Sequence, residues 1–309
     1  MKILYYISFA LMYLASLLPL WVLYRVSDVL YYLVYHVAGY RRVIVRKNLT
    51  ESFPERSQEE LRRIEKRYYS WFCDYIVETL KMFSMSDKQM RRRMRFEGLE
   101  QFEADFAGGK SLTVYLGHYC NWEWICSLGL NLSDKATPAQ LYHPLESPVM
   151  DRLFFHSRGR FGAVSIPMKE AFAELVSWQK NGRLSVTGYI SDQAPGFDTM
   201  HYWPMFLHHD TPAYTGAERI ARILDTPVYY FDVFRPRRGY YVARAIKITG
   251  TPKTEPKFSI TERYYRLLEQ TIQRDPEFWL WSHNRWKRTR EQFNAVHSEE
   301  ERKRILSKL

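Results

Sequence analysis

The feature that most constrains this chain is its beginning: from Ile3 to Tyr24, a run of 22 residues, nothing carries a charge. At ~1.5 Å rise per residue a continuous helix of that length reaches roughly 30 Å, the thickness of a bilayer's hydrocarbon core. The run therefore reads as a transmembrane helix. It is longer than a signal-peptide core, and Arg25-Val26-Ser27-Asp28 beyond it does not resemble a small-residue cleavage site, so it is expected to stay attached. Basic residues gather after it at Arg25, Arg41, Arg42, Arg46 and Lys47, against Lys2 ahead of it. By the positive-inside rule a single-pass chain of this kind keeps its remainder in the cytoplasm. The next apolar stretch, Val29 to Tyr40, is too short to span and reads as an interfacial or packed helix. A buried hairpin is the alternative for the whole region. These readings divide the chain into an anchor with its interfacial helix over 1–40 and a cytoplasmic domain over 41–309.

The remainder has enough apolar sequence for a substantial core, with hydrophobic residues making up 46% of all 309; that length allows one large domain or two small ones. Strand-like runs stand at Ser111–Leu116, which stops at Gly117, and at Leu184–Ile190, Val228–Phe234 and Tyr240–Ile248. Helical spacing fills Ser57–Met94, Glu170–Gln179, Tyr214–Leu224 and Thr261–Arg274. Strands alternating with helices predict an α/β fold, a mixed sheet flanked by helices. Between Asp192 and Pro212 a loop-rich stretch punctuated by Pro195, Gly196 and Pro204 is where a substrate-binding surface is expected. The net charge of +11 suits acidic partners such as anionic lipid, nucleic acid or an acidic carrier protein. No helix-turn-helix, zinc-finger or RRM signature is present, which sets nucleic acid aside. Cys73, Cys120 and Cys126 are odd in number and lack C-x-x-C spacing, so they read as reduced thiols rather than a disulfide framework or a zinc site.

The segment that carries chemistry is Gly117-His118-Tyr119-Cys120-Asn121-Trp122-Glu123, a His-x4-Glu pattern placed where a strand gives way to the next helix. Residues five apart on one helix point about 140° away from each other, so the two meet only if His118 lies on the loop before it. Gly117 and a capping Asn121 permit that. A carboxylate against one imidazole nitrogen fixes the tautomer and leaves the other nitrogen to take a proton from an attacking hydroxyl. Such a pair performs acyl transfer without a serine nucleophile, or hydrolysis when the attacking group is water. By itself the spacing fits a satisfied polar histidine equally well.

Four further blocks follow in order. They are Tyr142-His143-Pro144-Leu145; Met150-Asp151-Arg152-Leu153 with Arg158, Arg160 and Gly162; Ser191-Asp192-Gln193-Ala194-Pro195; and Phe278-Trp279-Leu280-Trp281-Ser282-His283-Asn284-Arg285-Trp286-Lys287. With His118 and Glu123 ahead of them, the series resembles the late acyltransferases of lipid A biosynthesis, the lauroyl and myristoyl transferase family, from the N-terminal run to about Arg290. The resemblance implies an α/β fold of the glycerolipid-acyltransferase type at the bacterial inner membrane, with residues 41–309 as the acyltransferase domain. It implies acyl carrier protein as the acyl donor, a hydroxyl of a lipid A precursor as the acceptor, and no metal or dissociable cofactor. The same chemistry on another acceptor, such as an amino-acid-containing lipid or another membrane glycolipid, is the alternative.

In the family's terms His118 is the general base and Glu123 its orienting partner. Arg158 and Arg160 match a pair of family arginines, the first assigned to catalysis and the second to substrate binding. A guanidinium there suits a lipid phosphate, the phosphopantetheine arm or a developing oxyanion, and equally a solvated helix end. Asp192 matches the family's aspartate after the central strand, orienting an acceptor sugar or a basic side chain, or closing an Asx turn. The aromatic and basic block from Trp279 to Arg288 fits either the lipid headgroup level or a packed C-terminal cap. From a different class, a membrane-tethered binding protein would use the same surface and predicts that His118→Ala is harmless.

Overall fold

The computed structural model describes residues 2–308; Met1 and Leu309, the outer ends of the two expected segments, lie outside them. The uncharged N-terminal run does not form one helix. α1 (Lys2–Ser16) and α2 (Leu20–Tyr31), the latter continued by a π-helical turn over Tyr32–Val37, meet at 108°. Pro19 stands at the N-cap of α2, and proline, which lacks an N–H and crowds the residue before it, ends the preceding helix. The carbonyls left at the break are taken up by the body of the protein: Lys81 Nζ donates to Ser16 O (2.6 Å) and Leu18 O (3.0 Å), and Ser84 Oγ to Ser16 O (2.6 Å). Among the described residues no single helix is long and apolar enough to cross a membrane, so a bent pair takes the place of the expected transmembrane helix.

α3 (Arg42–Ser52) and α4 (Gln58–Lys81) follow. α4 opens on a capping box between Ser57 and Glu60 and buries Leu61, Ile64, Tyr68 and Trp71, three and four residues apart. α2 lies against it, so the first two helices are fastened to the body of the protein along their inner faces.

The strands are β1 (Met94–Glu97), β2 (Leu112–Leu116), β3 (Ala136–Tyr142), β4 (Val164–Pro167), β5 (Leu184–Ile190), β6 (Met205–Phe206), β7 (His209–Asp210), β8 (Val228–Arg237) and β9 (Tyr240–Thr249). Seven form one sheet in the order β1-β9-β8-β2-β5-β3-β4, and β6 with β7 makes a separate ribbon. Within the large sheet every neighbouring pair is parallel except the β8–β9 hairpin. All five residues of β2 are buried, as a strand covered on both faces requires. β1, β3 and β4 escape the sequence reading because β1 and β4 are only four residues long and β3 is interrupted by Pro138. The tyrosine-rich composition is largely core: Tyr68, Tyr115, Tyr230, Tyr241 and Tyr264 are fully buried.

One register positions the site. β2 and β5 run parallel side by side, with Leu112 opposite Val186 and Leu116 opposite Ile190. Continued two residues beyond the strand ends, that register sets His118 opposite Asp192. Both then sit at the carboxyl edge of the sheet, the edge at which open parallel sheets bind ligands.

Candidate active site

The loop that follows β2 is held from both sides. A Cβ on Gly117 would come within 2.7 Å of Leu268 Cδ1 and 3.3 Å of Asp192 Oδ2, so glycine is what lets the helix Ser259–Arg274 and the Asp192 carboxylate approach. On the other side the C-terminal block pairs with the loop: Cys120 N–H donates to Phe278 O (2.8 Å) and Leu280 N–H to His118 O (3.1 Å). Asn121 does not cap the 3₁₀ turn that follows, whose N-cap position is Glu123, but its Oδ1 receives Trp124 N–H (3.1 Å) at the turn's start. His118 accordingly lies on the loop before a helical turn, as the spacing required.

The acid that meets His118 is Asp192, not Glu123. Asp192 Oδ1 lies 2.6 Å from His118 Nδ1, and Asp192 Oδ2 accepts both the His118 backbone N–H (2.8 Å) and Trp279 Nε1–H (2.8 Å). Burial alone would raise the Asp192 carboxyl; the His118 imidazole and these hydrogen bonds hold it down to about 2. On the far side of the ring Gln193 Nε2 lies 3.2 Å from His118 Nε2. A carboxylate on Nδ1 and an amide donor on Nε2 together select the tautomer with its proton on Nδ1 and its lone pair on Nε2, an assignment made from the partners. Trp122 meets the imidazole edge to face at 5.2 Å and itself stacks on Tyr75 at 4.1 Å.

Glu123, expected to orient His118, is instead taken by Arg158. Arg158 Nε donates to Glu123 Oε2 (2.7 Å) and Nη2 to Oε1 (2.6 Å), a two-pronged pair brought in by the helix Pro148–Gly159. Burial by itself would lower the Arg158 pKa, but the Glu123 carboxylate raises it above its ordinary value. Within the described residues Arg158 Nη1 makes no hydrogen bond, and the side chain borders the cavity. Arg160 does not join it. Its guanidinium reaches the turn after α4, donating to Met82 O and, over 3.2 Å, to Met85 O, carbonyls that have no helical partner of their own.

His118, Trp122, Glu123, Arg158 and Gln193 line a cavity of about 470 Å³ whose deeper walls are apolar, with Val114, Leu116, Ile125, Leu128, Val186 and Ile220 among them. Exposed Leu145 and Met168 stand at its rim. A mostly apolar chamber with a few converging polar groups is the usual form of a small-molecule site. The C-terminal block is packed rather than presented to solvent: Trp279, Trp281 and Arg285 are buried. Arg285 Nη2 donates to Pro212 O (2.7 Å) and to Tyr265 Oη (3.0 Å), and Tyr265 Oη donates to Ser191 O (3.1 Å), bracing the turn that carries Asp192. The three cysteines are free and buried; burial, with Asp74 beside it, pushes the Cys73 thiol up to about 12, away from nucleophile behaviour. Among the described residues no three His, Cys, Asp or Glu side chains converge to hold a metal ion.

Sequence reasoning had Asp192 near a basic side chain as one option but did not identify His118 as that side chain. Gln193 carries no sequence signal of its own, and Trp279, whose block fits a membrane interface or a packed cap, carries none that points to Asp192.

The family model for bacterial lipid A biosynthesis acyltransferases matches residues 1–288. The chain is similar to the lipid A biosynthesis lauroyltransferase of Escherichia coli K12, 24% identical over 292 residues, which covers 91% of this chain and 90% of that one. It is also similar to the lipid A biosynthesis palmitoleoyltransferase of the same organism, 23% identical over 250 residues and covering 80% and 79%. A lipid A biosynthesis acyltransferase of Haemophilus influenzae is 20% identical over 252 residues, covering 80% and 76%. With a family match spanning nearly the whole chain and a site built where an open α/β sheet binds ligands, the protein belongs to the bacterial lipid A biosynthesis acyltransferase family.

Proposed function

We propose that this protein moves a fatty acyl chain from the thioester of acyl carrier protein to a hydroxyl of a lipid A precursor, with His118 as general base. The observation that carries the proposal is the His118 ring, oriented by Asp192 on Nδ1 and offering Nε2 at the mouth of an apolar cavity. The acceptor hydroxyl displaces Gln193 from Nε2 and gives up its proton there as its oxygen attacks the thioester carbonyl. The tetrahedral oxyanion collapses, the C–S bond breaks, and the departing thiolate of the carrier takes the proton back from the imidazolium. Ester and thiol are the products, with no net proton change. Asp192 stays ionised throughout and stabilises the imidazolium. Arg158, its Nη1 unengaged, donates to the oxyanion or to a phosphate of the acceptor, while Glu123 holds it in place.

The acyl chain lies in the apolar part of the cavity, each buried methylene contributing about 0.8 kcal/mol. The net charge of +11 favours an acidic carrier and a phosphorylated acceptor. Ile3, Leu11, Leu14 and Trp21 project outward from α1 and α2, which supports seating of the bent pair in the interface of the inner membrane's cytoplasmic leaflet rather than across it.

Mass spectrometry of lipid A from cells whose only copy is wild type or His118→Ala tests the reading, paired with transfer of a labelled acyl group from acyl carrier protein by the purified protein. Loss of one acyl chain in the variant is expected. An unchanged lipid A with loss of an acyl group from another lipid class would overturn the acceptor, and no lipid change at all would overturn the His118 mechanism.

A further inference from the structure

Of the buried carboxylates of α4, Glu65, Asp74 and Glu78, the last two stand one turn apart, and the proposed acyl transfer uses neither. Both fasten α2. Asp74 accepts from Ser27 Oγ (2.7 Å), and its other partners are Arg235 Nη2 (2.7 Å) and Arg238 Nε (2.9 Å) from the β8–β9 hairpin. Glu78 differs in what it reaches. Its Oε1 accepts from Tyr24 Oη of α2 (2.8 Å), and its Oε2 accepts from Tyr241 Oη of β9 (2.7 Å) and from Asn121 Nδ2 (2.7 Å).

Asn121 belongs to the loop that carries His118 and Glu123. Its other end receives Trp124 N–H, and Trp124 Nε1 donates back to the Glu78 carbonyl over 3.2 Å. One residue of α4 therefore grips the loop twice while a third contact grips the N-terminal helices. The contacts of Glu78 with Tyr241, Asn121 and Trp124 are buried, where no water stands ready to replace a lost partner, and the Tyr24 bond lies half-buried at their edge.

We propose that Glu78 is a positioning residue that couples the seat of the N-terminal helix pair to the geometry of the His118 loop. When Tyr24 leaves, the carboxylate is free to turn toward its remaining donors, Asn121 shifts with it, and His118 and Glu123 move on either side. The helix pair is then part of the active site's construction as well as a contact surface. The kinetic arm of the test rests on the acyl-transfer reading; the spectroscopic arm does not.

The decisive comparison is Tyr24→Phe against Ser27→Ala in the full-length protein. Each removes one hydroxyl–carboxylate bond between α2 and α4, but only Tyr24 shares its carboxylate with Asn121. Expected for Tyr24→Phe is a kcat lowered roughly tenfold at unchanged KM, as small displacements of positioned groups produce, and a shifted His118 ring resonance in NMR of substrate-free, ¹³C-histidine-labelled protein. Expected for Ser27→Ala is kcat within about twofold of wild type and an unmoved resonance. Glu78→Gln keeps an acceptor for Asn121 and Tyr241 and a donor for Tyr24 Oη, so it should retain most of the activity that Glu78→Leu loses. Equal effects of Tyr24→Phe and Ser27→Ala, or a His118 resonance unmoved by Tyr24→Phe, overturn the proposal. If wild type proved inactive on lipid A while the resonance still moved in Tyr24→Phe alone, the coupling would stand and the substrate reading would fall.

Discussion

Two pairs of a carboxylate with a basic side chain meet at one cavity, and their surroundings are nearly identical. The His118 and Asp192 side chains are 19% and 2% exposed, those of Arg158 and Glu123 21% and 4%. The difference between the pairs therefore lies in the basic partner. An imidazole gives up and regains a proton within the physiological range, whereas a guanidinium stays charged. The first pair suits the proposed proton transfer and the second suits holding a charge still. A nearby acid in the sequence does not make a dyad; the group it bonds decides its role.

The largest effect that tests this contrast is His118→Ala, expected to lower the initial rate of acyl transfer by about 10³-fold or more with little change in Tm. Asp192→Asn should come next, a loss on the order of 10²–10⁴ in kcat, since an amide in its place no longer demands a proton on Nδ1. A silent Asp192→Asn beside a thousandfold loss in Glu123→Gln would exchange the two assignments. For the fixed pair the readout is stability. Arg158→Leu strands a buried Glu123 and should cost about 3–5 kcal/mol by chemical denaturation, while adding Glu123→Leu should recover most of it. No double replacement at His118 and Asp192 should restore activity. The smallest effect is in pH. The Asp192 carboxyl is held at about 2 in the folded protein against an ordinary 3.8. Its contribution, about 2 kcal/mol, is fully present above pH 3.8 and is lost as pH falls through 2. Unfolding curves of wild type and Asp192→Asn should accordingly differ near neutrality and converge in acid.

Much of the frame could be read from residue order. The run Leu184–Ile190 is β5 to the residue, and the expected helix Thr261–Arg274 lies within Ser259–Arg274, because each carries a periodicity that propensity and burial both favour. Pro19 stands inside the uncharged run and breaks it, because proline cannot continue the preceding helix, a point that the absence of charge alone does not reveal. The aromatic block at Trp279 was ambiguous on its face, since indoles serve a membrane interface and a protein core by the same physics.

The sequence by itself determined that His118 sits on a loop after a buried strand, since a strand and the glycine that ends it are local matters. It also determined the family, through the order of its blocks. Only the tertiary structure decided which acid His118 meets. Asp192 lies 74 residues away, and the two come together because β2 and β5 pair in one parallel register, a choice made by the packing of the whole sheet. Glu123, five residues away, is drawn off by a guanidinium from another helix. Buried charges take the partner that best satisfies them, and that partner is fixed by which elements the fold brings alongside rather than by distance along the chain.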